Sequence, residues 1–500
     1  MESYFMGIDT GTQGVRIAVS DCLGNLKYER EKKWETFFPE VGWAEQDPMV
    51  WWNTISGIFE NALKTLGKDT MQQIKACCVC ATSSTVFPVD RNGNPLRNAL
   101  MWMDARSREE MDAINKTGHP VLNYCGGETS FEWMIPKALW IKHHEADIYS
   151  SSYKIVEQLD WINYQLCGEW SSSICNVTGK WNYVSSLGGY QKDYFEQIGF
   201  EDYEEKLITR VSRIGDRIGL VRPELAERYG FSENMEIVEG GIDAHMAMFG
   251  LNVLRPGKLG IIMGTSFVHL CLSEKKPEMD GIWGPYDSAV LDDMWLLEGG
   301  QISASGLVNW FRNNFHIPEV NGNPYEMLLD IPEKIPIGAD GITVLDFFQG
   351  NRTPYKDASA KGVIFGLNIK HTWEHIYRAI LESVSYGTYN IIRNYEKYGY
   401  VVDAITACGG VTKDAQWMQM IADITGKPIT VNCNSQAGSL GCCVVAAARG
   451  RYYNSFQEAA EHMVIPKKII KPDMDKHQKY LPYFKKYLEL YKNLREFMHQ

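Results

Sequence analysis

Short apolar stretches punctuated by glycine turns open the chain. Residues 4–8 are apolar and run into Asp9-Thr10-Gly11-Thr12-Gln13-Gly14. Val15, Ile17 and Val19 then alternate with Arg16, Ala18 and Ser20. That period of two predicts a half-buried strand. Leu23-Gly24-Asn25 turns the chain into a third strand over residues 26–34. A helix is predicted over residues 48–66 and a buried strand over 74–81. Another strand, over 85–90, closes on a turn at Asn92-Gly93-Asn94. Strands and helices go on alternating, which argues an α/β protein with layered sheets.

The second half starts the same way. Gly257-Lys258-Leu259-Gly260 leads into Ile261-Ile262-Met263, then Gly264-Thr265-Ser266, then a strand over 268–272. Gly11-Thr12 thus recurs as Gly264-Thr265 in the same strand, turn, strand setting, which suggests two related halves. The junction is expected within residues 240–250, where few linker-like residues stand, so the halves should be closely hinged. The expected division is 1–245 and 246–500. Further on, a helix is predicted from about residue 372 with Ile376, Ile380 and Val384 on one face. Trp417, Met420, Ile421 and Ile424 mark another, following a strand at 404–407 and Gly409-Gly410, with Asp414 as its N-cap. A last amphipathic, basic helix is predicted over 483–497, packed on the sheet with its lysines solvated.

Composition narrows the class. Five hundred residues exceed one ordinary core, so two or three domains are expected. Lys+Arg 50 against Asp+Glu 62 leaves a net charge of −12, which disfavours a broad nucleic-acid footprint. No apolar run reaches the roughly 18 residues of a membrane helix. The N-terminus has no basic segment followed by an apolar one, so no signal peptide is expected and the compartment is read as cytoplasmic. The twelve cysteines are scattered, several in apolar stretches (Cys77, Cys78, Cys80, Cys442, Cys443), where a buried thiol is the default. Cys77 and Cys80 form a C-x-x-C, but no second pair follows at zinc-ribbon spacing.

The sharpest chemical signal is Gly7-Ile8-Asp9-Thr10-Gly11-Thr12. A strand ending in Asp and turning through Gly-Thr presents backbone N–H groups and hydroxyls to a phosphate chain, and a carboxylate to magnesium. It is not a Walker A loop, because no Gly-Lys in the chain is followed by Ser or Thr. Taken alone it reads equally well as a plain hairpin turn. Gly264-Thr265-Ser266 and Gly409-Gly410 supply further places for a ligand to meet backbone. Asp243 follows Gly240-Gly241 at the junction, where it is either a general base or the N-cap of the next helix. His371-Thr372-Trp373-Glu374-His375 matches H-x-x-E-H, but a helix starting at Thr372 leaves His371 off its face.

Together these motifs resemble the FGGY carbohydrate kinases of the sugar kinase, actin and Hsp70 superfamily, over essentially the whole length. Gly7 to Thr12 is similar to the family's first phosphate motif and Gly264-Thr265-Ser266 to its second. Cys408-Gly409-Gly410, with Trp417 to Asp423, resembles its adenosine motif, although Cys408 stands where glycine is common. Gly42 to Pro48 and residues 362–382 also look like family stretches. The sugar-site segments, Thr82-Ser83-Ser84-Thr85, Trp102 to Arg106, Gly179-Lys180-Trp181, Glu298 to Gln301 and Gly350 to Pro354, look most like ribulokinases, with Ser84 where Cys is common.

The resemblance implies two ribonuclease H-like domains flanking a cleft. In the first lie the sugar site and the first phosphate motif; in the second, the second phosphate motif and the adenosine site. It implies ATP and Mg2+, with Asp9 at the metal and Gly11, Thr12, Gln13, Gly264, Thr265, Gly409 and Gly410 at the nucleotide. Thr82, Ser83, Lys180, Asp243 and Glu298 would hold the sugar, and Asp243 would be the general base. The implied reaction is phosphorylation of a terminal hydroxyl of a ketopentose, foremost ribulose, to the 5-phosphate. The chain is shorter than typical L-ribulokinases, so D-ribulose, other ketoses, pentitols and glycerol stay open as substrates. A non-catalytic nucleotide sensor on the same fold is the reading from another class. The implied partners are a small sugar and ATP, without nucleic acid or membrane, and with room for a homodimer.

Overall fold

In the computed structural model, residues 3–317, 328–434, 436–450 and 452–499 are described. Met1 and Glu2, part of the segment read for a leader, lie outside them. The first half builds a sheet from β1 (Tyr4–Gly11), β2 (Gly14–Asp21), β3 (Leu26–Lys33), β4 (Ile74–Ala81), β5 (Arg217–Leu220) and β6 (Glu236–Ile242), in the order β5-β6-β4-β1-β2-β3. β1, β2 and β3 form an antiparallel meander in which Gly11 pairs with Gly14 across the tight turn. β4 runs parallel to β1, and β6 parallel to β4. Central parallel strands are covered on both faces, which is why β4 reads as the almost unbroken apolar run Ala76 to Ala81.

The second half repeats this plan. Its strands are β7 (Lys258–Met263), β8 (Phe267–Ser273), β9 (Trp283–Asp287), β10 (Trp295–Gln301), β11 (Ala404–Cys408), β12 (Ile429–Asn432) and β13 (Pro466–Ile470), in the order β9-β10-β8-β7-β11-β12-β13. β7, β8 and β10 are antiparallel neighbours, while β11 and β12 run parallel to β7. β1, β2, β3, β4 and β6 therefore correspond to β7, β8, β10, β11 and β12, with β9 added at one edge. The short Gly-Thr repeat marks a duplicated sheet.

The predicted helices are present, with one difference of extent. α1 spans Pro48–Leu66: Asp47 accepts from the Met49 N–H at 2.8 Å, Pro48 opens the helix, and Gly67 follows it. Next come α2 (Asp243–Gly250), α3 (Trp373–Lys397), α4 (Ala415–Thr425), α5 (Ala437–Arg449) and α6 (Met474–Met498). Thr372 caps α3 and Asp414 caps α4. The final helix begins nine residues before residue 483 and carries Pro482 inside it. Asp473 caps its start, and burial of His477 and Tyr480 anchors the early turns, with Tyr480 accepting from Arg378 Nη2 at 2.6 Å.

The two halves are hinged by helices rather than by a linker. α5 comes from the second half but packs against the first sheet: Cys442 and Cys443 share a core with Phe5, Ala18 and Ala76. α5 also crosses α2 closely. A Cβ at Gly441 would collide with the Met246 carbonyl, and one at Gly250 with the Ala437 carbonyl. Glycine at these two points is what brings the backbones together.

Candidate active site

A cleft of about 540 Å³ lies where the two sheets meet, and its wall draws on both halves. Asp9, near the end of β1, sits on it with its side chain 17% exposed. Its Oδ1 accepts from the Cys80 thiol at 3.4 Å, and Arg16 Nη1 stands 3.9 Å from Oδ2. Burial raises the Asp9 pKa, against the opposing pull of Arg16 and Cys80. Gly438, at the start of α5, lies against this carboxylate, and a Cβ there would collide with Oδ2.

The Gly11-Thr12 turn is held by side chains. The Thr12 carbonyl accepts from Trp34 Nε1 at 3.1 Å and Gln46 Nε2 at 2.8 Å, and its hydroxyl accepts from Trp102 Nε1 at 2.9 Å. The Thr12 hydroxyl hydrogen is left to donate into the cleft. Gly11 and Thr12 line the wall, while Gln13 is exposed and stands off it.

Asp243 is the first residue of α2, and Ile242 occupies the N-cap position. The capping alternative therefore does not hold: Asp243 Oδ1 accepts only from the adjacent Ala244 N–H, at 2.7 Å. Burial pushes the Asp243 carboxyl up to about 7, and the neighbouring Asp9 carboxylate adds to the rise. A carboxyl at that value changes protonation near neutrality, as a general base should.

The other end of the cleft is lined by Thr82, Ser83, Lys180 and Glu298. Thr82 is buried, with its hydroxyl shared between Thr85 Oγ1 at 2.9 Å and Gln158 Oε1 at 3.2 Å. Ser83 and Ser84 pair their hydroxyls at 3.3 Å, and Ser84 holds a left-handed φ of 59°. Lys180 Nζ reaches the Tyr286 hydroxyl at 3.4 Å and lies 4.9 Å from the Trp133 ring. Glu298 comes from β10 in the other half and accepts from His245 Nε2 at 3.3 Å. Although burial pushes the other way, Lys180, His245 and Arg352 hold Glu298 down to about 2, so it is a carboxylate.

Sequence reasoning assigned individual roles to only part of this wall. Glu132, Trp133, Arg352 and Gly438 line it, and so does Trp102. Trp102 and Arg352 lie in segments that carry the family resemblance; Glu132 and Trp133 sit in a loop with no periodic signal. Behind the wall lies Lys137, fully buried on the helix Met134–His144. Its Nζ donates to the carbonyls of Ser84, Met101, Trp102 and Glu132 at 2.6–3.0 Å. Burial lowers its pKa to about 7, against the pull of Asp104, Glu132 and Glu157. One side chain thus ties together three loops at this end of the cleft.

The second turn is built differently. The Gly264 N–H donates to the Ser266 carbonyl at 3.1 Å, Ser305 Oγ donates to the Gly264 carbonyl at 2.6 Å, and the Gly306 N–H to the Thr265 carbonyl at 2.9 Å. Gly264 and Thr265 are exposed and stand off the enclosed wall, which takes Ser266 instead. Gly409 lines the cleft; Gly410, next to it, is exposed.

The donor set fits magnesium. Mg2+ is commonly held by one or two carboxylates together with phosphate and water oxygens, so Asp9 beside a side-chain-free Gly438 suffices. Among the described residues no group of three His, Cys, Asp or Glu could hold a metal by itself. His371 and His375 have ring centroids 5.2 Å apart, but they bond Asn368 and Thr372, and Glu374 accepts from the Thr372 hydroxyl. Cys77 and Cys80 are buried free thiols whose pKa is raised by burial.

Duplicated α/β sheets thus flank a cleft that carries one carboxylate near the first strand's turn and a second at the head of α2. The chain belongs to the FGGY family of carbohydrate kinases: residues 4–250 match the family's N-terminal domain and residues 259–449 its C-terminal domain. It is 28% identical to an FGGY carbohydrate kinase domain-containing protein of Xenopus laevis, covering 99% of this chain and 98% of that one. It is also 28% identical to a ribulokinase of Bacillus licheniformis, covering 90% and 87%. A xylulose kinase structure from Rhodospirillum rubrum shares the fold with a TM-score of 0.90 at 21% identity, covering 99% of this chain and all of that one. The protein is a carbohydrate kinase. No helix of the described residues is long and apolar enough to cross a membrane.

Proposed function

We propose that the protein transfers the γ-phosphoryl group of ATP to the terminal hydroxyl of a ketopentose, foremost ribulose, giving the sugar 5-phosphate and ADP. The observation that carries this reading is Asp243: a carboxyl poised near 7, on a shared wall with Asp9, Lys180 and Glu298. The ribulokinase relative supports the choice of sugar. ATP bound with Mg2+ supplies the phosphoryl group. Asp243 takes the hydroxyl proton as the sugar oxygen bonds to the γ-phosphorus and the bond to the bridging oxygen breaks, so ADP leaves and the proton rests on Asp243. Asp9 would hold the metal; Gly11, Thr12 and Gly409 would face the nucleotide from the cleft wall, and Gln13, Gly264, Thr265 and Gly410 would meet it beyond that wall. Thr82, Ser83, Lys180 and Glu298 orient the sugar. On this reading residues 1–245 act as the sugar half and 246–500 as the adenosine half. Positioning by the two halves supplies much of the rate.

A coupled ADP-release assay tests the proposal over L-ribulose, D-ribulose, xyluloses, tetruloses, pentitols and glycerol. Ribulose is expected to give the highest kcat/KM. Preference for another ketose or a polyol would overturn the choice of sugar, and absence of sugar-stimulated turnover would overturn the reaction.

A further inference from the structure

Behind the sugar end lies a buried hydrogen-bond chain that the phosphoryl-transfer step does not use. Cys175 is fully buried on the helix Ile174–Lys180, which also carries Lys180. Its Sγ is 3.1 Å from Nδ1 of His245, itself 1% exposed and two residues after Asp243 on α2. The other ring nitrogen, Nε2, is 3.3 Å from Oε2 of Glu298, on β10 of the other half. One imidazole therefore joins the helix bearing Lys180, the helix bearing Asp243 and the strand bearing Glu298.

We propose that His245 is a positioning residue: held at Nδ1 by Cys175, it presents its Nε2 proton to Glu298 and fixes the carboxylate against which the sugar docks. This rests on the reading of Glu298 as a sugar-binding group. A carboxylate can only accept, so the proton between His245 and Glu298 belongs to Nε2. Cys175 partners Nδ1 in either charge state, donating to the neutral ring or accepting from the imidazolium. Burial works against the imidazolium, but Cys175 and Glu298 outweigh it and raise the ring to about 9. Without the imidazole, Glu298 would turn freely toward Lys180, and two buried groups would lose their partner.

Steady-state kinetics with the sugar of highest turnover test this. His245→Ala is expected to raise the sugar KM about tenfold, the worth of a hydrogen bond to a charged group, while the ATP KM holds. His245→Gln keeps an amide donor at the ε position and is expected to recover most of that loss. Cys175→Ala, which frees only the far side of the ring, is expected to raise the sugar KM about threefold. An unchanged sugar KM in His245→Ala, or equal rises in both KM values without rescue by Gln, overturns the proposal. A 15N histidine NMR spectrum of the full chain gives a reading without sugar. A protonated His245 Nε2 that shifts in Glu298→Gln supports the proposal, and an unprotonated Nε2 contradicts it. If wild-type protein phosphorylates no sugar, the kinase reading fails while this spectrum still decides the role of His245.

Discussion

The turn after β1 and the turn after β7 share a Gly-Thr pair and a strand on either side, yet they present different chemistry. The first is braced by Trp34, Gln46 and Trp102 and carries Asp9 at its base. The second is held by its own backbone and by Ser305 and Gly306, and brings no carboxylate. Both sheets thus turn through Gly-Thr after their first strand, but over two residues between Gly11 and Gly14 and over three between Met263 and Phe267. The two carboxyls proposed to act on the phosphoryl group, Asp9 and Asp243, both come from the first half, and the second half supplies Glu298 and Arg352. On the proposed roles, the duplicated sheet needs its proton acceptor and its metal ligand only once.

The asymmetry is most open to attack at the turns themselves. Asp9→Asn should lower kcat by about 10²–10³-fold, because it removes the carboxylate proposed to hold Mg2+ against the phosphates, and Thr265→Ala by less than about fivefold. Equal losses, measured in the same coupled assay, would break the comparison. Stability should split the same way. Gly441→Ala forces a Cβ into the Met246 carbonyl where α2 and α5 cross, and thermal unfolding should report a loss of about 1–3 kcal/mol. Gly264→Ala, whose Cβ would meet nothing nearer than the Ser266 carbonyl at 3.5 Å, should leave unfolding within about 0.5 kcal/mol.

A third expectation concerns pH. Asp243 must be unprotonated to accept a proton, and its pKa is raised to about 7. Activity should therefore be full above that value, and kcat/KM should fall about tenfold per pH unit below it. A flat profile from pH 5 to 8 would remove Asp243 from the proton path. The smallest effect is expected at Trp102→Phe. Losing the indole donor to the Thr12 hydroxyl should raise the ATP KM about threefold to fivefold, with unfolding little changed. No change would show that the brace of the first turn is dispensable.

Local rules reached the elements with self-contained signals. Alternation in β2, the Asp47-Pro48 start of α1 and the Asp414 cap of α4 are readable within a few residues. Asp9 and Asp243 stand out in the sequence because one lies in β1 two residues before Gly11 and the other follows the glycine-bearing end of β6. What stayed hidden depends on long-range approach. The docking of α5 on the first sheet, the reach of α6 across Pro482 and the four carbonyls around Lys137 all join segments distant in sequence. Glu132 and Trp133 lie in an irregular loop, so only the folded cleft brings them beside Lys180.

The central claim is that one carboxylate, Asp243, takes the sugar proton while the rest of the cleft positions the two substrates. Turnover of Asp243→Asn in the coupled assay, alongside equilibrium binding of ATP, tests it most directly. The account predicts that kcat falls about 10²–10⁴-fold while ATP affinity stays within about twofold of wild type. Near-normal turnover in Asp243→Asn would contradict it.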